Sequence, residues 1–278
     1  MTQVSISPTN HSTYTNPTDP TSLPVPVNLP TLNARTALFL DFDGTLVDLA
    51  DQPDSVQVPH DLVRLLEQLS QQLGGALAIV SGRKLADLDH FLTPLRLPAA
   101  AEHGAHHRQA DGSQVQAASP DLGAVIRQVK AFADSHAGMR AEVKASCVAL
   151  HYRHAPQLEA LARQVMQHAA NSHAGLSLLS GKLVFEIKPA HVSKGRAIEH
   201  FMQLPPFAGR HPVFAGDDVT DEAGFAAVQA LGGIAIKVGS GATLAGYRCS
   251  NPTAVRHWLA THLTHLSRTT PPIEHAPS

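Results

Sequence analysis

Cysteine is nearly absent. Cys147 and Cys249 are the only two in 278 residues, and neither belongs to a C-x-x-C pair. That excludes a disulfide scaffold, a zinc ribbon and a redox motif, and a reducing cytoplasm is the expected compartment. A basic excess is missing too: 21 Lys and Arg stand against 23 Asp and Glu, for a formal charge of −2. Bulk charge therefore offers nothing to a phosphate polymer, and no nucleic-acid partner is expected. No apolar run reaches the ~18 residues that a bilayer span requires, and no basic segment followed by an apolar one opens the chain. Neither a membrane partner nor export is expected. The 18 His lack metal-site spacing and are read as surface and pocket residues.

What remains is a chain that is 43% hydrophobic and long enough for one large domain or two modest ones. Residues 1–33 are rich in Ser, Thr, Pro and Asn and bury too little apolar surface to repay ordering, so they read as a disordered lead. Residues 268–278, with Pro271, Pro272 and Pro277, read as a disordered tail. Between them, short apolar runs alternate with helix-period segments, the pattern of a parallel α/β sheet. The runs are Ala37–Phe42, Ala76–Val80, Ala99–Glu102, Val213–Gly216 and Ile234–Val238. Each is nearly continuous in apolar residues, as strands covered on both faces are. Leu62, Leu65, Leu66, Leu69 and Leu73 form one helical stripe after Pro59.

The rhythm breaks at Asp111-Gly112, a turn signal, followed by Ser119-Pro120 as N-cap and first residue of a helix to about His136. Strand-like Arg140–Tyr152 comes next, then a helix over about Pro156–His173. A hairpin of Leu176–Leu179 and Leu183–Lys188, turning at Ser180-Gly181, closes the group. This reads as an α+β unit inserted between residues 105 and 190.

Chemistry gathers where the predicted parallel strands end. Asp41 and Asp43 are two apart in extended chain, so both can face the crevice beyond the first strand while Phe42 turns away. Gly44 permits the turn that follows. Ser81-Gly82-Arg83 brings a hydroxyl and backbone N–H groups to the same edge, suited to a phosphoryl oxygen. Lys194 follows an N-cap candidate, Ser193, and a cation in a first helical turn calls for a nearby anion. Gly216-Asp217-Asp218-Val219-Thr220-Asp221-Glu222 adds more acids than capping requires. A few oxygen ligands completed by water and phosphate suit Mg²⁺ better than a Ca²⁺ cage or zinc.

Asp41-Phe42-Asp43-Gly44-Thr45, Ser81, Lys194 and Gly216-Asp217-Asp218, in this order, resemble the four motifs of the haloacid dehalogenase-like (HAD) phosphohydrolases. The inserted unit stands where that superfamily places its α+β, C2-type cap. Ser81-Gly82-Arg83, Ala101-Glu102-His103-Gly104-Ala105, Leu150-His151-Tyr152-Arg153, Phe185-Glu186-Ile187-Lys188-Pro189 and Gly216 to Glu222 are similar to the trehalose-6-phosphate phosphatase family. The likeness covers about Leu38 to Val238; members often begin near the first strand, so the long polar lead is a departure.

The resemblance implies a Rossmann-like HAD core at 34–104 and 191–267 and a cap at 105–190. It implies a monomeric, Mg²⁺-dependent hydrolase releasing phosphate from a small sugar phosphate, trehalose 6-phosphate, through an aspartyl-phosphate. Asp41 would be the nucleophile and Asp43 the acid and base, its acid weakened by crowding carboxylates and burial. Ser81 and Lys194 would hold phosphoryl oxygens. The metal would lie on Asp41, the backbone carbonyl of Asp43 and Asp217, with Asp218 and Asp221 in support. Trehalose offers only hydroxyls, so its readers are sought among polar groups: Gly82, Arg83, Glu102 and His103 on the core side. Glu142, Lys144, Arg153, Lys182, Glu186 and Lys188 are the cap candidates, Glu186 foremost; Arg153 could instead pair with a cap carboxylate.

Three other readings stay open. A capped phosphatase for sucrose phosphate or mannosyl-3-phosphoglycerate would share the core and differ in the cap. A phosphoacceptor signalling domain would be about half this length and would lack Asp43. A non-catalytic sugar-phosphate sensor is opposed by the intact set Asp41, Asp43, Lys194 and Asp217.

Overall fold

The computed structural model describes residues 29–269 except 51, 53, 54, 119, 145 and 182. Its central strand, β1 (Thr36–Leu40, TALFL), is buried along its whole length. Alternation splits this strand between two cores. Leu38 and Leu40 face a cluster with Leu66 and Leu69 of α1 (Leu62–Gln72) and Trp258 and Leu259 of α7 (Pro252–Thr269). Ala37 and Phe39 face Ile198 and Phe201 of α5 (Lys194–Phe201) and Phe225 of α6 (Glu222–Ala230). A strand apolar on both sides is what two helical layers require.

Parallel partners flank β1: β10 (His211–Gly216) on one side and β2 (Leu77–Val80) on the other. Outside them lie β11 (Ile234–Val238) with β12 (Tyr247–Cys249), and β3 (Ala99–Ala101). The register decides where the chemistry falls. Leu40 pairs with both Ala215 and Ile79, so Asp41, Ser81 and Asp217 leave the sheet at one carboxyl edge.

A second, antiparallel sheet has the order β6-β7-β9-β8. Its strands are β6 (Arg140–Val143), β7 (Val148–His151), β8 (Leu176–Gly181) and β9 (Val184–Pro189). One face packs Val148, Leu150, Phe185 and Ile187 on Val125 and Val129 of α3 (Gly123–Asp134) and on Met166 and Ala169 of α4 (Glu159–Asn171). By period two, the other face carries Arg140, Glu142, Ala149, His151, Val184 and Glu186.

Several expectations shift. The inserted unit begins later than residue 105: β4 (His106–Arg108) extends the core sheet antiparallel to β3 and β5 (Gln114–Gln116) antiparallel to β4, with Asp111-Gly112 inside their hairpin. These strands are short and polar, and β5 is fully exposed, so they lack the apolar run that marked the others. Residues 29–33 are packed rather than disordered, because Leu32 is buried and Trp258 Nε1 donates to the Pro30 carbonyl at 3.0 Å. Residues 1–28 and 270–278 lie outside the described residues, as does the Ser119 cap; α7 itself continues to Thr269. The hairpin expected at Ser180-Gly181 turns later: Gly181 still pairs with Val184, and Leu183 takes the left-handed corner at φ +62°.

Candidate active site

After β1 the chain turns on itself, with Leu46 N and Val47 N donating to the Phe42 carbonyl and Gly44 N to that of Val47. Gly44 sits at φ +75°, and a Cβ there would come within 2.1 Å of Asp217 Oδ2. The turn therefore requires glycine on two counts, and it brings Asp217 against the Asp41 loop.

Lys194 organises what surrounds it. Ser193 caps α5 by accepting from Arg196 N, and the Lys194 ammonium in the following turn donates to Asp41 Oδ1 and Asp221 Oδ1, each at 2.7 Å. Burial works against that charge, but Asp221 and Asp41 outweigh it and hold the lysine pKa above its ordinary value. Asp221 is wholly buried, and its Oδ2 also accepts from the backbone N–H groups of Asp217 and Asp218 at 3.0 and 2.9 Å. Asp218 returns the favour by capping the turn that carries Asp221.

Lys194 pairs with two of the three carboxylates gathered here, while Lys237 donates to the backbone carbonyl of the third, Asp217. Burial, with Asp221 and Asp217 adding to it against the pull of Lys194, lifts the Asp41 acid well above its ordinary range. Burial and the Asp221 charge push Asp217 up to about 7. Asp41, Asp217 and Asp221 offer oxygen atoms all within 4.8 Å of one another. An all-oxygen set with surplus negative charge fits a hard divalent cation. Asp221 is close enough to join, but it is wholly buried and does not reach the cavity that Asp41 and Asp217 line, so those two are the better ligands. Asp218 serves as a cap, and the Asp43 carboxylate points to another partner.

That partner is Arg83, whose Nε and Nη2 meet Asp43 Oδ2 and Oδ1 at 2.6 and 2.7 Å. The guanidinium lies over Phe91 at 4.7 Å and Phe42 at 5.7 Å, which fixes its plane. Crowding by carboxylates and deep burial, expected for Asp43, give way to a guanidinium fork and a side chain 29% exposed. Ser81 is buried beside this pair, its hydroxyl oxygen accepting from Arg83 N.

The polar face of the second sheet forms the opposite wall of a cavity of about 640 Å³ that includes Asp41, Asp43, Ser81, Gly82, Arg83, Lys194, Asp217 and Asp218. From the cap side come Glu142, Lys144, Arg153 and Glu186, with His103 from the core loop. Glu186 is 6% exposed and takes Lys144 Nζ on Oε1 and His103 Nε2 on Oε2, both at 2.8 Å. Burial alone would raise its pKa, but Lys144 and His103 hold it well below the carboxylate range. Glu142 pairs with His151 at 2.9 Å.

Two expected contacts face elsewhere. Glu102 is buried behind the wall, accepting from Ser146 N and Oγ, and Lys188 donates to the Val192 carbonyl in the chain returning to the core. Both are long polar side chains whose reach leads away from the cavity. Lys182 lies outside the described residues. No described carboxylate pairs with Arg153. Arg140 and His151 also line the cavity, though they were not among the candidates. The i, i+2 run Arg140, Glu142, Lys144 was the signal that could have found the first, since any face holding Glu142 must hold Arg140.

The family model for trehalose-phosphatase matches residues 39–251. The chain belongs to the trehalose-phosphatase family. Similar members include trehalose-6-phosphate phosphatase of Escherichia coli, 42% identical over 241 residues that cover 86% of this chain and 91% of that protein. A probable trehalose-phosphate phosphatase of Sinorhizobium fredii is 45% identical over 205 residues, covering 73% and 77%. Among solved structures, a trehalose-6-phosphate phosphatase related protein matches with a TM-score of 0.71 at 26% identity, over 84% of this chain and 99% of that one. A HAD-superfamily phosphatase of Bacteroides thetaiotaomicron matches at 0.59 with 16% identity over 84% and 96%, a likeness of fold alone. The α/β architecture is thus a Rossmann-like HAD core with an α+β cap, as the motifs implied.

Proposed function

We propose that this member of the family is a Mg²⁺-dependent phosphatase that converts trehalose 6-phosphate to trehalose and phosphate. The observation carrying the reading is the single cavity that sets the Asp41–Lys194–Asp217 cluster against a wall bearing Glu142, Lys144 and Glu186. The first group suits a phosphoryl dianion, the second a leaving group made of hydroxyls.

Asp41 Oδ1 accepts a short bond from Lys194 at 2.7 Å and Oδ2 only a long one from the Thr45 hydroxyl at 3.4 Å, so Oδ2 is the oxygen that attacks phosphorus, displacing the sugar oxygen and forming an aspartyl-phosphate. Asp43 gives its proton to that departing oxygen and afterwards takes one from the attacking water, which requires it to leave the Arg83 fork. Ser81 Oγ and the Lys194 ammonium hold the remaining phosphoryl oxygens as charge spreads over them. Asp41 and Asp217, with the Asp43 carbonyl, would hold Mg²⁺, whose double charge would neutralise the phosphoryl group. Asp221 holds the Asp217 backbone directly and Asp41 through Lys194, and Asp218 caps the turn that carries Asp221. On the cap, Glu186 accepts from sugar hydroxyls while Lys144, Arg153 and Glu142 flank it; Gly82 and Arg83 close the core side. No described helix is long and apolar enough to cross a membrane, and the reading places a monomer in the cytoplasm.

The test is a panel of sugar phosphates assayed for phosphate release with and without chelator. Trehalose 6-phosphate is expected to exceed glucose 6-phosphate by orders of magnitude, and chelation to remove the activity. Equal rates on the two would remove the substrate assignment, and preference for sucrose phosphate or mannosyl-3-phosphoglycerate would reassign it within the same chemistry.

A further inference from the structure

We propose that Glu102 and His103 are positioning residues through which the core sets the sugar-reading face of the cap: His103 aligns Glu186, and Glu102 aligns the turn that carries Lys144. The inference rests on the phosphatase reading above and concerns its selectivity, not the reacting atoms.

The two residues follow β3 directly, and both have left-handed backbone, at φ +48° and +61°. Neither is glycine, so contacts must hold the conformation. Those contacts run in two directions. On the core side, Glu102 N donates to the Arg83 carbonyl at 2.8 Å and His103 N to that of Ser81 at 2.9 Å. The left-handed pair is thereby stitched to the loop that carries the phosphoryl-binding hydroxyl. On the cap side, Glu102 Oε2 accepts from Ser146 N at 3.0 Å and Ser146 Oγ at 2.7 Å, and His103 Nε2 meets Glu186 Oε2 at 2.8 Å.

Ser146 sits in the turn between β6 and β7, two residues past Lys144. The Lys144 ammonium reaches Glu186 Oε1 at 2.8 Å and the Gly82 carbonyl of the core at 3.2 Å. Core and cap are therefore tied in a closed ring: Glu102 to Ser146, along the turn to Lys144, across to Glu186, and back through His103. Gly82 completes it, because a Cβ at that position would stand 2.6 Å from His103 Cε1. Any larger residue displaces the imidazole. Glu102 is 3% exposed and does not line the cavity, so its effect on the sugar has to pass through the turn.

His103→Gln, Glu102→Ala and Gly82→Ala test this together, since the last keeps both side chains and disturbs only their placement. Each should lower kcat/KM for trehalose 6-phosphate, chiefly through KM, by about 10- to 100-fold relative to p-nitrophenyl phosphate. Amide hydrogen exchange on the substrate-free variants supplies the second readout. Exchange should quicken in the 146–148 turn and along 184–187 while β10 and β11 keep their protection. Parallel loss on both substrates with faster exchange throughout the core sheet would make the pair merely structural. Unchanged exchange in both cap segments would overturn the positioning role, and so would a Gly82→Ala enzyme with the parental substrate ratio. Failure of the parent enzyme on trehalose 6-phosphate would instead remove the substrate assignment, leaving the exchange measurement to decide the positioning.

Discussion

On the core side of the cavity the Lys194 ammonium pairs with two buried carboxylates, Asp41 and Asp221, with Asp217 beside them, whereas on the cap side one carboxylate, Glu186, is met by both Lys144 and His103. The same burial acts on both groups with opposite results. Asp41 and Asp217 are pushed toward the protonated form by burial that their charge partners do not offset, and Glu186 is held ionised by Lys144 and His103 against the same burial. The difference teaches what each wall is built to receive. A surplus of negative charge recruits a cation and, with it, a phosphoryl dianion. A balanced ionised acceptor recruits neutral hydroxyls without collecting stray ions.

Asp41→Asn gives the largest expected effect, a loss of phosphate release of about 10⁴-fold or more with the fold retained, since one carboxylate leaves a crowded set. A protein that still turns over would remove Asp41 as nucleophile. Lys194→Met comes next: Asp41 and Asp221 would lose their only cation while buried, at a cost of about 3–5 kcal/mol by urea unfolding. Lys144→Met should cost less, about 1–3 kcal/mol, because Glu186 keeps His103. Equal losses at the two lysines would break the contrast between the walls.

The contrast also has a pH signature of opposite sign. In chelator-treated protein Asp217 titrates near 7 when folded against an ordinary 3.8, so the folded state holds a proton that the unfolded chain has shed. Its contribution is present below about pH 4 and is lost as pH rises through 7. Glu186 is depressed in the folded state, so its contribution is present above about 4.5 and is lost as pH falls below that. Urea midpoints measured from pH 3 to 8 should show both limbs. Asp217→Asn should shrink the limb on which stability falls with rising pH, leaving the share of Asp41, whose acid is raised too, and Glu186→Gln should flatten the acid one; a limb unchanged by Asp217→Asn would assign it to other groups.

Much of this was legible before any coordinates. Five apolar runs forecast the buried parallel strands because burial on both faces leaves no room for polar residues, and β1 divides its side chains between two cores accordingly. Parallel strands also had to deliver Asp41, Ser81 and Asp217 to one edge. Harder to read were elements that bury little: β4 and β5 are short and polar, so nothing in their composition separated them from loop. Leu29 to Asn33 read as lead because its few apolar residues acquire a core only when Trp258 arrives from 228 residues away. Left-handed Glu102 and His103 carry no local signal at all, since the conformation is held by contacts to the 81–83 loop and to the cap rather than by residue type. Side-chain partners explain why two candidate sugar contacts, one on the core side and one on the cap, face elsewhere. Glu102 and Lys188 have the right chemistry, but their partners, Ser146 and Val192, draw them behind the wall.

The smallest effect is the sharpest probe of the cap. Glu186→Gln keeps the side-chain shape but replaces one acceptor oxygen by an amide donor. Turned toward Lys144, its NH₂ would face a donor; turned toward His103, it is satisfied only if the imidazole takes the tautomer whose Nε2 accepts, which ends donation from His103. The site would keep its volume, lose the negative charge and keep one acceptor oxygen in place of two for sugar hydroxyls. A loss of about 10- to 100-fold in kcat/KM for trehalose 6-phosphate is expected, which is about 1.4–2.8 kcal/mol of transition-state binding. The small aryl ester p-nitrophenyl phosphate reaches the core cluster without needing the cap acceptor, so its kcat/KM should fall much less. If both substrates lost activity in proportion, Glu186 would be serving the core chemistry, and the division of labour between the two walls would fail at the residue on which it leans most.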